Sequence, residues 1–466
     1  MSLPPGASAP PSPSGDPARS PSRRREWRAW YMYDWAGSVF STTVITVFLG
    51  PYLTTMAEAA AGPEGRIELF AGWSVDPTSV YPYATSLSVL LQLVLLPVVG
   101  ALADYTGRKR ELMGVFAYLG AFATMGLYFA DGPLVCAALF VLANTAFGGS
   151  FVVYNSFLPD IAGPAERDAV SSRGWAMGYL GGALLLTLNL VLYLFHGAFG
   201  VTAEHAVRIC MVSAGVWWAL FALIPLARLR NPARPPATEE SGAARPRGAG
   251  VLAGGFAQLW QTLKGLRAYP RTLLFLLAYI AFNDGIQTVI GFAAVFADQA
   301  LGLGQEVQIG TILMVQFVAF GGALLLGAIA RRLGTKRTIL ASLVVWLVVV
   351  SAAPLLQAGS VPQFVVLAFF IAIVLGGTQA LSRSLFSHLI PRGKEAEYFG
   401  LYEISDKGSA FLGSLTLGIA LDVTGGDYRT AILSLALFFV IGFAALLAVN
   451  IPAAIRAAGN EVPERV

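Results

Sequence analysis

Long apolar runs separated by short, mostly basic loops dominate the chain. Their lengths predict twelve membrane-spanning helices at 30–52, 80–103, 111–130, 133–157, 174–195, 206–227, 271–297, 307–330, 336–356, 361–389, 398–421 and 427–451. A hydrocarbon core about 30 Å thick needs roughly 20 mostly apolar residues per helix. Neither Val135 to Phe151 nor Leu273 to Asn283 carries a charge, and most segments lack the polar face of a helix that meets water. The pattern divides the chain into an N-terminal tail (1–29), a six-helix half (30–227), a linker (228–270), a second six-helix half (271–451) and a C-terminal tail (452–466).

The linker sets Arg228, Arg230, Arg234, Arg245 and Arg247 among prolines and glycines, a flexible composition. Near its end Phe256, Leu259, Trp260, Leu263 and Leu266 fall at helical spacing beside Lys264 and Arg267. Two readings stand there: a short helix on the membrane surface, or an ordinary amphipathic loop helix against the protein.

Composition sharpens this picture. Of 466 residues, 56% are hydrophobic and 12% charged, about half the charge of a soluble domain. Residues 1–22 are rich in Pro, Ser and Ala and are expected to be disordered. The first apolar segment follows Arg23–Arg25 and is too long for a cleaved signal, so it is expected to stay in the membrane. Cys136 and Cys210 lie in apolar runs, and the three histidines are scattered, so neither a metal nor another cofactor is expected. No GxxxxGK[ST] loop occurs, which argues against direct use of ATP. A gradient remains as the driving force. One charge moved through 100 mV yields about 2.3 kcal/mol, enough for tens-fold accumulation at about 1.4 kcal/mol per tenfold.

Charge placement gives orientation. Alternate loops hold Arg23 to Arg28, Arg108 to Arg110, Arg167, Arg173, the linker arginines, Arg331, Arg332, Lys336, Arg337, Arg392 and Lys394, whereas the opposite loops hold Arg66, Arg208 and Arg429. Positive loops stay cytoplasmic, so both termini are expected there, as an even number of spans also requires. High Ala, Arg and Gly usage and short loops suggest a bacterial plasma (inner) membrane.

An internal repeat relates the halves. Gly100-Ala-Leu-Ala-Asp-Tyr-Thr-Gly107-Arg-Lys-Arg110 matches Gly327-Ala-Ile-Ala-Arg-Arg-Leu-Gly334-Thr-Lys-Arg337 at an offset of 227, and Glu166 and Gly182 match Glu397 and Gly413 at 231. Two matches in the same order imply parallel repeats about an axis along the membrane normal. Gly100, Leu102, Ala103, Asp104, Gly107, Arg108 and Lys109 resemble the signature loop of the major facilitator superfamily; Tyr105 departs from it, and Arg331 replaces the acid in the second copy. Tyr33-Asp34-Trp35-Ala36-Gly37-Ser38-Val39-Phe40 resembles a stretch of that superfamily's autophagy-related vacuolar amino-acid effluxer branch, with departures at Gly37 and Val39. The resemblance implies an all-α membrane fold of twelve transmembrane helices in two parallel repeats. It also implies that Asp104 steadies one access state by meeting a helix N-terminus of the opposite half. Gly107 and Arg108 share this gating loop; the bland reading is an ordinary tight turn with basic anchors.

Buried charges are expensive in a membrane and mark candidate sites. Asp34 opens the first span and Asp284 lies midway along the seventh; either suits a proton or a substrate ammonium. Asp34 can instead pair with Arg23 to Arg28 or cap its helix. Arg383 can pair with Asp284 or Glu403, or bind a substrate carboxylate through its planar fork. Glu403 and Lys407 are four apart and can pair; with Asp406 they form either a static cluster or a gate that exchanges partners. Tyr154, Asn155 and Gln379 line a cavity or hydrogen-bond between helices. The function expected is a monomeric secondary transporter of small solutes, amino acids foremost, working by alternating access with proton coupling. An exporter of hydrophobic drug-like compounds and a transport-inactive sensor are the alternatives. No enzyme is expected, because no nucleophile–base pair is present. Partners are a solute and membrane lipid, without nucleic acid.

Overall fold

The computed structural model describes residues 21–62, 65–70, 73–231, 260, 264–407 and 411–465. Eleven helices among them are long and apolar enough to cross a membrane: α1 (Ser22–Ala60), α2 (Pro77–Thr106), α3 (Lys109–Phe129), α4 (Pro133–Ile161), α5 (Arg167–Leu194), α6 (Ala203–Arg228), α7 (Pro270–Gln299), α8 (Gln305–Leu333), α9 (Thr335–Leu355), α10 (Val361–His388) and, last of the eleven, Tyr428–Ala448. The span expected at 398–421 is described as two shorter helices, α11 (Glu395–Lys407) and α12 (Phe411–Val423). Tyr428–Ala448 is therefore α13. Most of the expected amphipathic stretch in the linker lies outside the described residues.

Two differences from the sequence reading stand out. Helix α1 begins about eight residues before position 30, inside the expected tail. Its extra turns carry Arg23 and Trp27, whose Nε and Nε1 donate to the Ile161 carbonyl at 3.1 and 2.9 Å and so tie the start of the helix to the end of α4. The chain is also not wholly helical: β1 (Ile67–Phe70) and β2 (Trp73–Val75) form an antiparallel hairpin between α1 and α2. Arg66 fastens it by donating to the Ser74 hydroxyl and carbonyl at 2.9 and 2.6 Å.

Within α1, Phe40–Phe48 is a π-helix. The run Ser41-Thr42-Thr43-Val44-Ile45-Thr46-Val47 explains it. β-Branched residues crowd the preceding turn, and hydroxyls of Ser41 and Thr42 take the Ser38 carbonyl while that of Thr46 takes the Ser41 carbonyl, competing with the ordinary ladder.

Each half has its own apolar core. Trp30, Phe40, Phe140 and Trp218 anchor the first; Phe275, Trp346, Phe386 and Phe439 anchor the second. The repeat is visible in packing. Gly182 of α5 faces Thr42 of α1, and Gly413 of α12 faces Thr288 of α7. The two signature-like loops dock reciprocally, Gly100 against the Ala396 carbonyl and Gly327 against Ser172.

Cross-half hydrogen bonds cluster at the end of the bundle that carries both described termini. Arg167 donates to the Ser387 carbonyl at 2.9 Å, and Asp168 accepts from Ser384 and Thr335 at 2.6 and 2.5 Å. The structure is therefore closed at this terminal face. The C-terminal segment braces it: Asn460 donates to the His388 and Ile390 carbonyls, and Arg465 to those of Arg331 and Arg332.

Candidate functional site

Arg383, on α10, is buried in the core at 1% exposure. Neither of its expected partners, Asp284 or Glu403, is the acid it meets. Its guanidinium donates from Nη2 to Asp34 Oδ2 at 3.3 Å and to the Ser171 carbonyl at 3.0 Å, from Nε to Ser171 Oγ at 2.9 Å, and from Nη1 to Asn155 Oδ1 at 3.0 Å. Three rings surround it: its Cζ lies 4.7 Å from the Trp30 ring centre, 5.5 Å from Trp175 and 5.7 Å from Tyr154. Asp34, 4% exposed, also accepts from the Tyr154 hydroxyl at 2.6 Å. A buried ion pair needs such added hydrogen bonds to offset its desolvation.

The helices position these groups by simple periodicity. Trp30 and Asp34 are one turn apart on α1, as are Ser171 and Trp175 on α5. Gly174 and Gly178 lack the Cβ that would overlap Asp34 and Ser38, which lets α5 lie against α1. Asn155, beside Tyr154 on α4, donates from Nδ2 to Glu403 Oε1 of α11 at 2.6 Å.

Two further acids, Asp284 and Asp406, accept hydrogen bonds from groups of the second half. Asp284, 1% exposed, accepts from the Gly413 amide at 3.0 Å in the seam between α7 and α12. Asp406 Oδ1 accepts from Tyr279 Oη and Asn283 Nδ2, each at 3.1 Å. The pairing expected between Glu403 and Lys407 rests on a Lys407 side chain outside the described residues. Gln379 Oε1 accepts from Tyr179 Oη at 3.2 Å across the halves.

At the terminal face Asp104 accepts from the backbone amides of Ala396 and Glu397 at 3.1 and 2.8 Å, where α11 begins. An acid there meets the positive end of the helix. Gly107 closes α2 in the left-handed region at φ 65°, a conformation that glycine adopts without penalty. Arg108 is exposed. Lys109 is 2% exposed and lies 2.9 Å from Asp160, 3.7 Å from Asp104 and 3.8 Å from Glu395.

Sequence reasoning missed Trp30, Trp175 and Ser171, and placed Lys109 in the signature loop and among the basic anchors without its acidic partners. The aromatic spacing around Asp34 and Ser171 was available as a signal; the meeting of α1, α4, α5 and α10 was not. An apolar groove of about 710 Å³ between α9 and α10, lined by Val344, Val348, Val366 and Phe370, lies apart from Arg383.

A family model described as vacuole effluxer Atg22 like matches residues 22–459. An uncharacterized MFS-type transporter, YxiO of Bacillus subtilis, is 28% identical, covering 91% of this chain and 94% of its own. Autophagy-related protein 22-1 of Aspergillus fumigatus is 26% identical over 94% of this chain and 91% of its own. Among solved structures, the human organic anion transporter MFSD10 superposes with TM-score 0.62 at 14% identity, covering 92% of this chain and 100% of that one. The major facilitator superfamily transporter FucP in its outward conformation gives 0.64 at 10%, covering 91% and 99%. Likeness at such identities establishes the fold.

Proposed function

From the premise that this chain belongs to the vacuole effluxer Atg22-like family of major facilitator membrane transporters, and is not an enzyme, we propose that it carries amino acids by alternating access. The observation that carries this reading is the division of the Arg383 site. Arg383 and Glu403 belong to the second half; Asp34, Tyr154, Asn155 and Ser171 belong to the first. Opening the terminal face separates a buried cation from its acid, and Asp34, which keeps the Tyr154 hydroxyl, then lacks its counter-charge.

A zwitterion supplies what separation removes. Its carboxylate takes the planar fork of Arg383, and its ammonium takes a carboxylate parted from its cross-half contact on the same movement, Asp34 or Glu403. The internal ion pair and the substrate thus compete, so an empty site favours closure and a loaded one permits exchange. Asp34 replaces Asp284 as the acid in this reading, because it is the one that Arg383 touches. Asp34 also carries the coupling proton when no cation replaces Arg383. In this reading the terminal face is cytoplasmic, which its arginines support, and its closure belongs to the outward-facing part of the cycle. Gating belongs to the Asp104–α11 contact and to the Lys109 cluster, which close that face.

Counterflow into liposomes tests this. Protein loaded with one amino acid should accelerate entry of another, and Asp34→Asn or Arg383→Lys should reduce exchange by at least about tenfold. Failure of every amino acid to exchange would overturn the proposal.

A further inference from the structure

Among the described residues, each hydrogen-bond partner of the Arg383 guanidinium and each ring it lies over sits on the first half: the Asp34 carboxylate, the Asn155 amide oxygen, the Ser171 hydroxyl and carbonyl, and the rings of Trp30, Tyr154 and Trp175. When Arg383 withdraws with α10, this shell remains as a socket already shaped for a guanidinium. We infer that the socket receives the side-chain cation of the substrate, so that the transported amino acids are basic ones of the arginine and lysine type. This rests on the alternating-access reading above and narrows its substrate class.

Contacts within the first half hold the socket's aromatic wall and its carboxylate. Trp30 and Tyr154 stack at 4.5 Å with 18° between planes, and Trp30 Nε1 donates to the Tyr154 carbonyl at 3.0 Å. Tyr154 Oη holds Asp34 at 2.6 Å. A site organised before binding loses less ordering entropy when filled. Its polar groups facing the guest are acceptors, and its apolar walls are π-faces that attract cations. A neutral aliphatic side chain there would leave the buried Asp34 carboxylate without a counter-charge and the Asn155 and Ser171 oxygens without the donors that Arg383 supplies, the arrangement that makes polar sites reject apolar analogues. Arg383 therefore acts as an internal occupant of the socket in the closed state.

The other end of such a substrate also finds partners. Asn155 contacts both Arg383 and Glu403, so these two second-half groups lie within the span of one amide. Separation parts both from Asn155 together. Arg383 meets the α-carboxylate and Glu403 the α-ammonium, while Asp34 and the rings read the side chain.

The test is competition in counterflow by wild-type protein, comparing arginine with citrulline, its neutral isostere, and with leucine. The expected result is that citrulline and leucine compete at least about tenfold more weakly than arginine. Equal competition by neutral amino acids would overturn this inference and leave the transport proposal standing; no competition by any amino acid would overturn both. A second measurement uses Arg383→Ala protein in detergent with methylguanidinium or methylurea. Methylguanidinium, filling the vacated socket, should raise the melting temperature by mass action. An equal rise with methylurea, or none with either, would count against a cation-specific socket. If the variant does not fold, the wild-type competition decides alone.

Discussion

Asn155 and Glu403 form a 2.6 Å hydrogen bond across the two halves while the same amide accepts from Arg383 at 3.0 Å. One small side chain thus satisfies an anion and a cation of the opposite half. An Asn155→Leu substitution keeps the branching and the number of side-chain heavy atoms and removes both contacts. A buried polar group left unpaired costs about 1–3 kcal/mol, here charged only to the closed state. The expected outcome is a shift toward terminal-face opening. Spin labels at the exposed positions 108 and 392 should report a longer mean distance; an unchanged distribution would contradict the role given to Asn155.

Three glycines separate conformational balance from folding. A Cβ at Gly100 would overlap the Ala396 backbone carbonyl, and one at Gly327 would overlap Ser172, both across the halves; one at Gly322 would overlap the Ile373 carbonyl within the second half. Gly100→Ala and Gly327→Ala should slow transport while changing the melting temperature little. Gly100→Ala should be the more severe, because a backbone carbonyl cannot turn aside as a serine can. Gly322→Ala should lower the melting temperature instead. Transport rates beside melting curves for the three variants check the ordering.

Lys109 and Arg108 are neighbours with opposite fates. Lys109→Met leaves Asp104, Asp160 and Glu395 without their shared buried cation. Stranding buried charge costs about 3–5 kcal/mol. Arg108→Met, at an exposed position, should fall within about 0.5 kcal/mol of the parent. Thermal denaturation in one detergent compares them, and equal losses would contradict the buried-cluster description.

For the central pair, a double-mutant cycle is the clean measurement. Asp34→Asn and Arg383→Gln each strand one buried charge, for about 3–5 kcal/mol apiece. The double variant strands neither and should cost less than the two single losses combined, by about 0.5–3 kcal/mol. Additive losses would mean that Asp34 and Arg383 are not coupled.

The spans and the two-half repeat were legible because both are local or periodic. A helix that crosses lipid must satisfy its backbone internally and present apolar residues over most of its length, and that requirement is written in consecutive positions. The Gly100 and Gly327 loops repeat at a constant offset, so the relation of the halves could be read without contacts. The start of α1 was misplaced because Arg23 and Trp27 look like tail residues until Ile161 is seen accepting from them. Polarity along one segment does not reveal what lies across from it.

Pairing across helices had to wait for the folded chain. Asp34 and Arg383 are 349 positions apart, and no spacing rule connects them. From the sequence, Asp284 and Glu403 were equally good partners for Arg383, since a buried charge requires some compensation but does not name it. The choice was made by the packing of α5 between α1 and α10, where glycines at 174 and 178 open room beside Asp34. The need for buried charges and their approximate depth therefore belong to the sequence. Which charges meet, and what aromatic walls enclose them, depends on helix packing, because close-packed side chains are selected by three-dimensional fit.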